Sequence, residues 1–430
     1  MVPARVYRCK EAGQIMDFYL VIVFLLIIHI SMHKIIKNRL LDYGFIILVL
    51  VFGGYTLYNY SLGFLLRKYS LSMIPFIASV PYSIIIVIDP AASLVLFMLS
   101  ILYAIIVLRG YDDLMPLFPV LILLSASYDL ILIGSLVILL WMILLLRDKY
   151  ESLFQYTILM LLFMIGLYSI GNYNIAYLSF LASHQFISST RYVIGFSLVI
   201  LQFILFVFWY GGIYPVRRIG LSSKEDDHIH SFSRGLISSI LLILIYRLLV
   251  FDPIGCIRNI FSIVLSVIGI TSYYYYFIKY IKSGGHSALV QMLYSSILLV
   301  YIIKPIDGIS ILLLWITIFS LSYCLEYFSK ERRDQANLNM FIIPSPWFIY
   351  WSLLLLGLAS VNLAAFALMI IPYIIISVLV VREQGLSKSN LDVYLGIILS
   401  FIVILLYVFV IHDASVIFTD YQKLRNIVMG

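Results

Sequence analysis

Charge is what this sequence has least of: 11% of its 430 residues are Asp, Glu, Lys or Arg, against 63% hydrophobic. That ratio cannot clothe a soluble globule of this size, whereas a chain facing hydrocarbon needs charges only in its loops. Two windows, 152–190 and 335–381, hold no charged residue at all. Each is long enough for two helical crossings of a hydrocarbon core about 30 Å thick, at roughly 20 residues per crossing. Cysteine is scarce as well. Cys9, Cys256 and Cys324 show neither a paired spacing nor a metal-ligand cluster, so disulfides, haem and iron–sulfur ligation have no support. A period-two alternation is missing from the apolar runs, which argues for helices over a membrane barrel. The net charge of +7 is no nucleic-acid signature, because Lys and Arg of membrane proteins gather in short cytoplasmic loops.

What is present is a series of uncharged, helix-length runs bounded by charge, Pro or Gly. The expectation is an all-α polytopic membrane protein with about 13–15 transmembrane helices, multi-pass in a cell membrane and surrounded by lipid. Lys34, Lys37 and Arg39 follow the first apolar run without a small-residue cleavage site, the pattern of a retained span. The longest hydrophilic breaks, 217–230, 329–339, 382–390 and the tail from Asp420, are too short to hold a cofactor-binding domain. Redox or nucleotide chemistry is therefore expected in other chains, and no catalytic residue, cofactor or metal ligand is assigned here. Pro and Gly inside apolar runs, including Gly211, Gly212, Pro215, Pro344 and Pro346, ask for kinked or broken helices.

The ionisable and hydroxyl-bearing residues inside the spans are few enough to weigh singly. Arg247 lies in a long apolar run, where it either snorkels to an interface or finds a partner inside the bundle. His29 and His184 are neutral-capable residues suited to hydrogen bonding within the bundle or to proton relay. Asp129 stands at a turn, where its carboxylate can cap the next helix. Tyr294, Ser295 and Ser296 sit side by side between apolar runs, placed for interhelical hydrogen bonds or a hydrated path. SYYYYF at 272–277, ahead of Lys279 and Lys282, fits a headgroup-level aromatic belt or a protein contact.

MLYSS at 292–296 resembles a motif of the antiporter-like subunits of respiratory complex I, above all the N, or second, membrane subunit, although Gln291 replaces the family's basic residue. Other segments follow in the family's order: residues 125–168 resemble its fifth and sixth helices, with Asp129 in the turn. WYGGIYPVRR at 209–218, HSFSRGLISSILLILIYRLL at 230–249 and LGLASVNLAAF at 356–366 resemble later ones. The resemblance implies a membrane-arm subunit of a complex-I-like or hydrogenase-like assembly, with discontinuous helices and two inverted five-helix repeats. It divides the chain into N-terminal helices (1–112), a first unit (113–250), a second unit (251–385) and a C-terminal helix with tail (386–430). It also implies partners, namely other integral-membrane subunits of a quinone-reducing, proton-translocating oxidoreductase.

Where pumping relatives carry titratable groups, the same resemblance places Ile138, Tyr210, Ser238 and Met369. Hydroxyls with reference pKa values near 10 or above are no acid–base stations near neutrality, so a degenerate proton channel is expected. Two other classes fit the composition: a stand-alone secondary transporter and a lipid-linked sugar flippase or polymerase. Both need a charged mid-membrane site or cavity, and the charge-poor interior speaks against them.

Overall fold

The computed structural model describes residues 21–36, 38–57, 90–127, 129–148, 153–171, 190–211, 228–250, 256–283, 286–328, 345–384, 390–412 and 414–415. Among them the secondary structure is almost entirely helical. In chain order the helices are α1 (Val21–Ile36), α2 (Arg39–Leu57), α3 (Pro90–Arg109), α4 (Leu117–Ala126), α5 (Leu130–Asp148), α6 (Leu153–Ile170) and α7 (Thr190–Gly211). They continue with α8 (His228–Val250), α9 (Cys256–Ser283), α10 (His286–Ser296), α11 (Pro305–Phe328), α12 (Pro346–Val361), α13 (Leu363–Gln384) and α14 (Asn390–Leu406). Five of the described helices are long and apolar enough to cross a membrane, and shorter apolar helices accompany them.

Packing separates the chain into two compact units. One comprises Met1–Ile204, Arg247–Ile254 and Ile417–Gly430; the other comprises Leu205–Tyr246 and Gly255–Val416. Helices α7 and α8 each contribute to both.

In the second unit, α9 shows how lipid selects sequence. Its buried stripe carries Ser262, Ser266, Ser272, Tyr273, Tyr276 and Tyr280, while Ile260, Ile263, Val264, Val267, Ile278 and Ile281 are exposed. The inside is thus more polar than the outside, the reverse of a helix in water. In hydrocarbon, small and hydroxyl-bearing residues supply close packing and hydrogen bonds, and aliphatic side chains lose nothing by facing lipid. The tyrosine run resolves as a protein contact: Tyr273 and Tyr276 are buried, and the Tyr274 hydroxyl donates to the Leu368 carbonyl at 2.7 Å.

Helix α10 continues as a 3₁₀ segment, Ile297–Ile302, and ends at extended Ile303 before Pro305 opens α11. Tightening from α to 3₁₀ raises the rise per residue from about 1.5 to about 2.0 Å. The 286–302 span gains about 3 Å in this way and approaches the roughly 30 Å hydrocarbon thickness. Two tyrosines hold the break. Tyr301 donates to the Leu242 carbonyl at 2.6 Å, and Tyr246 donates to the Pro305 carbonyl at 2.8 Å.

In the first unit, Arg247 solves a helix-end problem. It is 1% exposed, and its Nη1 donates to the Ser125 carbonyl at 2.6 Å. Ser125 lies in the last turn of α4, where carbonyls have no intrahelical donor. The guanidinium satisfies one of them and meets the negative end of the helix dipole. Of the two readings open in the sequence, the structure has the inward one. Asp129 does the opposite service at the start of α5, accepting from the amides of Ile131 at 2.8 Å and Leu132 at 3.2 Å.

Arg247→Met keeps the apolar stem and removes the donor. The expected loss is about 1.5–3 kcal/mol, the range for a hydrogen bond to a charged group, seen as a lower midpoint in thermal or SDS unfolding of the purified protein in detergent. An unchanged midpoint would show that the α4 end is satisfied without Arg247.

Candidate functional site

The polar interior of the second unit is built on α8, α10, α11 and α12. Ser296 donates its hydroxyl to the Leu293 carbonyl at 2.7 Å, which leaves its oxygen to accept from the Tyr350 hydroxyl of α12 at 2.9 Å. Ser295 likewise donates to Gln291 at 2.7 Å and shares a hydroxyl pair with Ser272 of α9, also at 2.7 Å. Both serines are fully buried. The two adjacent hydroxyls therefore point to two different neighbours, one pinning α10 to α9 and the other pinning it to α12.

Tyr294 faces a third direction. Its ring lies 5.6 Å from that of Trp315, and its hydroxyl presses on Gly235 of α8, where any Cβ would collide with it. Ser238, Ser239, Leu242, Ile297 and Val207 complete a cavity with Tyr294 and Trp315. It measures about 10 Å³ at the centre of a water-sized sphere, room for about one water molecule. The Ser238 hydroxyl is buried there without a hydrogen-bond partner among the described residues, a polar atom to which such a water can bond.

Around this cavity the space is filled by rings. Trp315 stacks on Phe319 at 5.2 Å and meets Trp347 at 5.9 Å. Trp347 meets Tyr350, Tyr350 meets Trp351, and Trp351 meets both Tyr273 and Tyr373. Met369 is fully buried, and Ile138 in the first unit is half-buried. Among the described residues, no ionisable side chain other than tyrosine enters this interior of the second unit. His184 and the side chain of Tyr210 lie outside the described residues, as do Gly212 and Pro215.

The first unit holds a second polar constellation, of which sequence reasoning found one member. Asn38 caps α2 by accepting from the Leu40 amide at 3.0 Å, and this places Asp42 in the first turn of α2, beside the end of α1. Asp42 Oδ1 lies 2.9 Å from His29 Nε2 and 2.8 Å from His33 Nδ1. The remaining ring nitrogens are engaged too: His29 Nδ1 is 2.7 Å from the Tyr103 hydroxyl and His33 Nε2 is 3.1 Å from Asp112 Oδ1.

Asp112 is brought there by the end of α3. Gly110 adopts φ 71°, and the bonds Gly110 N–H to Val107 and Tyr111 N–H to Ile106 form the paired closure of a left-handed helix end. Phe45 stacks on the His29 ring at 4.7 Å. Treating His29 as a lone histidine overlooked the signal in HISMH, because His29 and His33 are four apart and share a helix face.

No protein-family model and no curated protein sequence matches the chain. Solved structures do. A chain of the membrane-bound sulfane sulfur reductase, an archaeal respiratory membrane complex, superposes with a TM-score of 0.66 at 12% identity, covering 97% of this chain and 99% of that one. This chain shares the fold of that membrane-complex chain over nearly its whole length. A chain of the Mrp complex from Dietzia sp. DQ12-45-1b gives 0.56 at 14% identity, with 89% and 80% covered. Respiratory complex I from Thermus thermophilus with bound NADH gives 0.53 at 12% identity, with 95% and 99% covered. These matched chains come from a respiratory membrane complex, the Mrp complex and respiratory complex I. The backbone likeness agrees with the fold that the order of motifs implied, while identities this low carry no residue roles.

The Ser296–Tyr350 contact makes a measurable claim on stability. In a double-mutant cycle with Ser296→Ala and Tyr350→Phe, the coupling in SDS unfolding is expected at about 0.5–1.5 kcal/mol. Additive single effects would show that the two hydroxyls do not depend on each other.

Proposed function

We propose that this chain is a non-redox membrane-arm subunit of a complex-I-like respiratory assembly in the cell membrane. The assembly couples electron transfer to a quinone or related acceptor with proton translocation, and this subunit carries a degenerate proton channel of its own. Residues 113–250 and 251–385 are its two inverted five-helix units. Its partners are other integral-membrane subunits, and it performs no catalysis alone.

The observation that carries this reading is the cavity at Ser238. A proton path through hydrocarbon needs groups that bind and release protons, or a connected file of water. The cavity offers room for about one water between hydroxyls and a tryptophan, and a network of tightly packed rings occupies the volume beside it. A hydroxyl at Ser238, where the resemblance expects a lysine, is no acid–base station near neutrality. The subunit then contributes shape and lateral contacts: the exposed aliphatic faces of α9, α13 and α14 meet either lipid or a neighbouring subunit.

Two measurements test this. Extraction in a mild detergent is expected to recover the chain with further membrane subunits and with soluble redox subunits; recovery as a stable monomer that moves ions after reconstitution alone would overturn the proposal. In the intact complex, Ser238→Ala is expected to leave the number of protons moved per electron unchanged. A large loss of coupling with normal assembly would place Ser238 on a working route.

A further inference from the structure

We propose that His29, His33 and Asp42 form a binding site for a divalent transition cation of the zinc type, which clamps α1 to α2. This goes beyond the function proposed above and does not rest on it.

The donor atoms converge. His29 Nε2, His33 Nδ1 and one carboxylate oxygen of Asp42 lie within 4.8 Å of one another. Tetrahedral coordination with bonds of about 2.0–2.1 Å separates ligand atoms by roughly 3.3 Å. The two nitrogen–oxygen edges, 2.9 and 2.8 Å, need to open by only a few tenths of an ångström to admit an ion. The spacing is also apt, since His29 and His33 stand one helical turn apart on α1 while Asp42 comes from the facing turn of α2.

The outer partners make the stronger case. A metal-bound imidazole normally gives its second N–H to a carboxylate, carbonyl or similar acceptor, which fixes both tautomer and ring orientation. Here both histidines have that partner: Tyr103 on the Nδ1 side of His29 and Asp112 on the Nε2 side of His33. With each outer nitrogen protonated, the inner nitrogens are left as lone-pair donors beside the same Asp42 oxygen. Phe45 packs flat on His29 and fixes the ring from its face.

Charge and access agree with this assignment. Two neutral imidazoles with the carboxylates of Asp42 and Asp112 balance a divalent ion, so the loaded site is neutral overall. His33 and Asp42 keep 13% and 12% of their side-chain surface exposed, which leaves an entry path and a place for water as the fourth ligand. Two imidazoles and one carboxylate suit zinc, cobalt or nickel over magnesium or calcium, which favour oxygen donors throughout.

The test uses the full chain extracted from membranes in mild detergent, with whatever subunits accompany it, and purified through a tag free of histidine. Elemental analysis is expected to find about one zinc per chain at this site above the content of His33→Gln and Asp42→Asn preparations. After chelation, added cobalt is expected to give the intense visible bands of tetrahedral coordination in the wild type alone. Asp112→Ala and Tyr103→Phe remove only the outer partners and are expected to weaken cobalt affinity about 10–100-fold; they keep the test decisive if the ligand variants fail to accumulate. Wild-type protein without stoichiometric metal and without cobalt bands would leave a hydrogen-bonded histidine–aspartate cluster and overturn the proposal. Equal metal in wild type and His33→Gln, or cobalt affinity unmoved by both outer-partner variants, would overturn it as well.

Discussion

A polar group inside hydrocarbon has only protein, or a trapped water, to bond with, and leaving it unpaired costs several kcal/mol. That constraint accounts for more of this structure than any apolar contact does. Serine and threonine hydroxyls of the buried faces turn back to carbonyls of their own helix, as at Ser100, Ser266, Thr317 and Ser320. Where a hydroxyl has capacity left, it reaches a neighbouring helix, and the contact then decides which helices touch. Arg247 belongs to the same account: an ion is tolerated in the interior of the first unit because it serves the open end of α4.

In the second unit the paired interior groups are hydroxyls. The hydroxyls of Ser295, Ser296 and Tyr350 are engaged in short bonds whose donors and acceptors are accounted for, and tryptophan and tyrosine rings fill the remaining volume. Close packing of these rings fixes the surroundings of Ser238.

The histidine–aspartate cluster of the first unit lies near helix ends, where α1 passes into α2 and α3 turns at Gly110. Charge is cheaper there than at mid-membrane, because long side chains and water reach it. The short connection after α1 and the left-handed turn after α3 together bring residues as distant in the chain as His33 and Asp112 to 3.1 Å.

The sequence by itself determined the class and the solvent. Charge-free runs such as 335–381 admit no environment but lipid, because the backbone cost of spanning it leaves only helices. The order of motif-like segments was enough to reach the antiporter-like fold, since helix order survives substitution of side chains that merely face lipid. Asp129 was legible as a cap because capping is local, set within three residues. Direction and partner were not legible. The sequence left Arg247 open between interface and interior, left SYYYYF open between belt and contact, and gave no pairing for Ser295 or Ser296. It showed His29 without Asp42, Tyr103 or Asp112. Those outcomes depend on which helices become neighbours and on how each is rotated about its axis, and rotation is fixed only when all the buried polar groups are satisfied together.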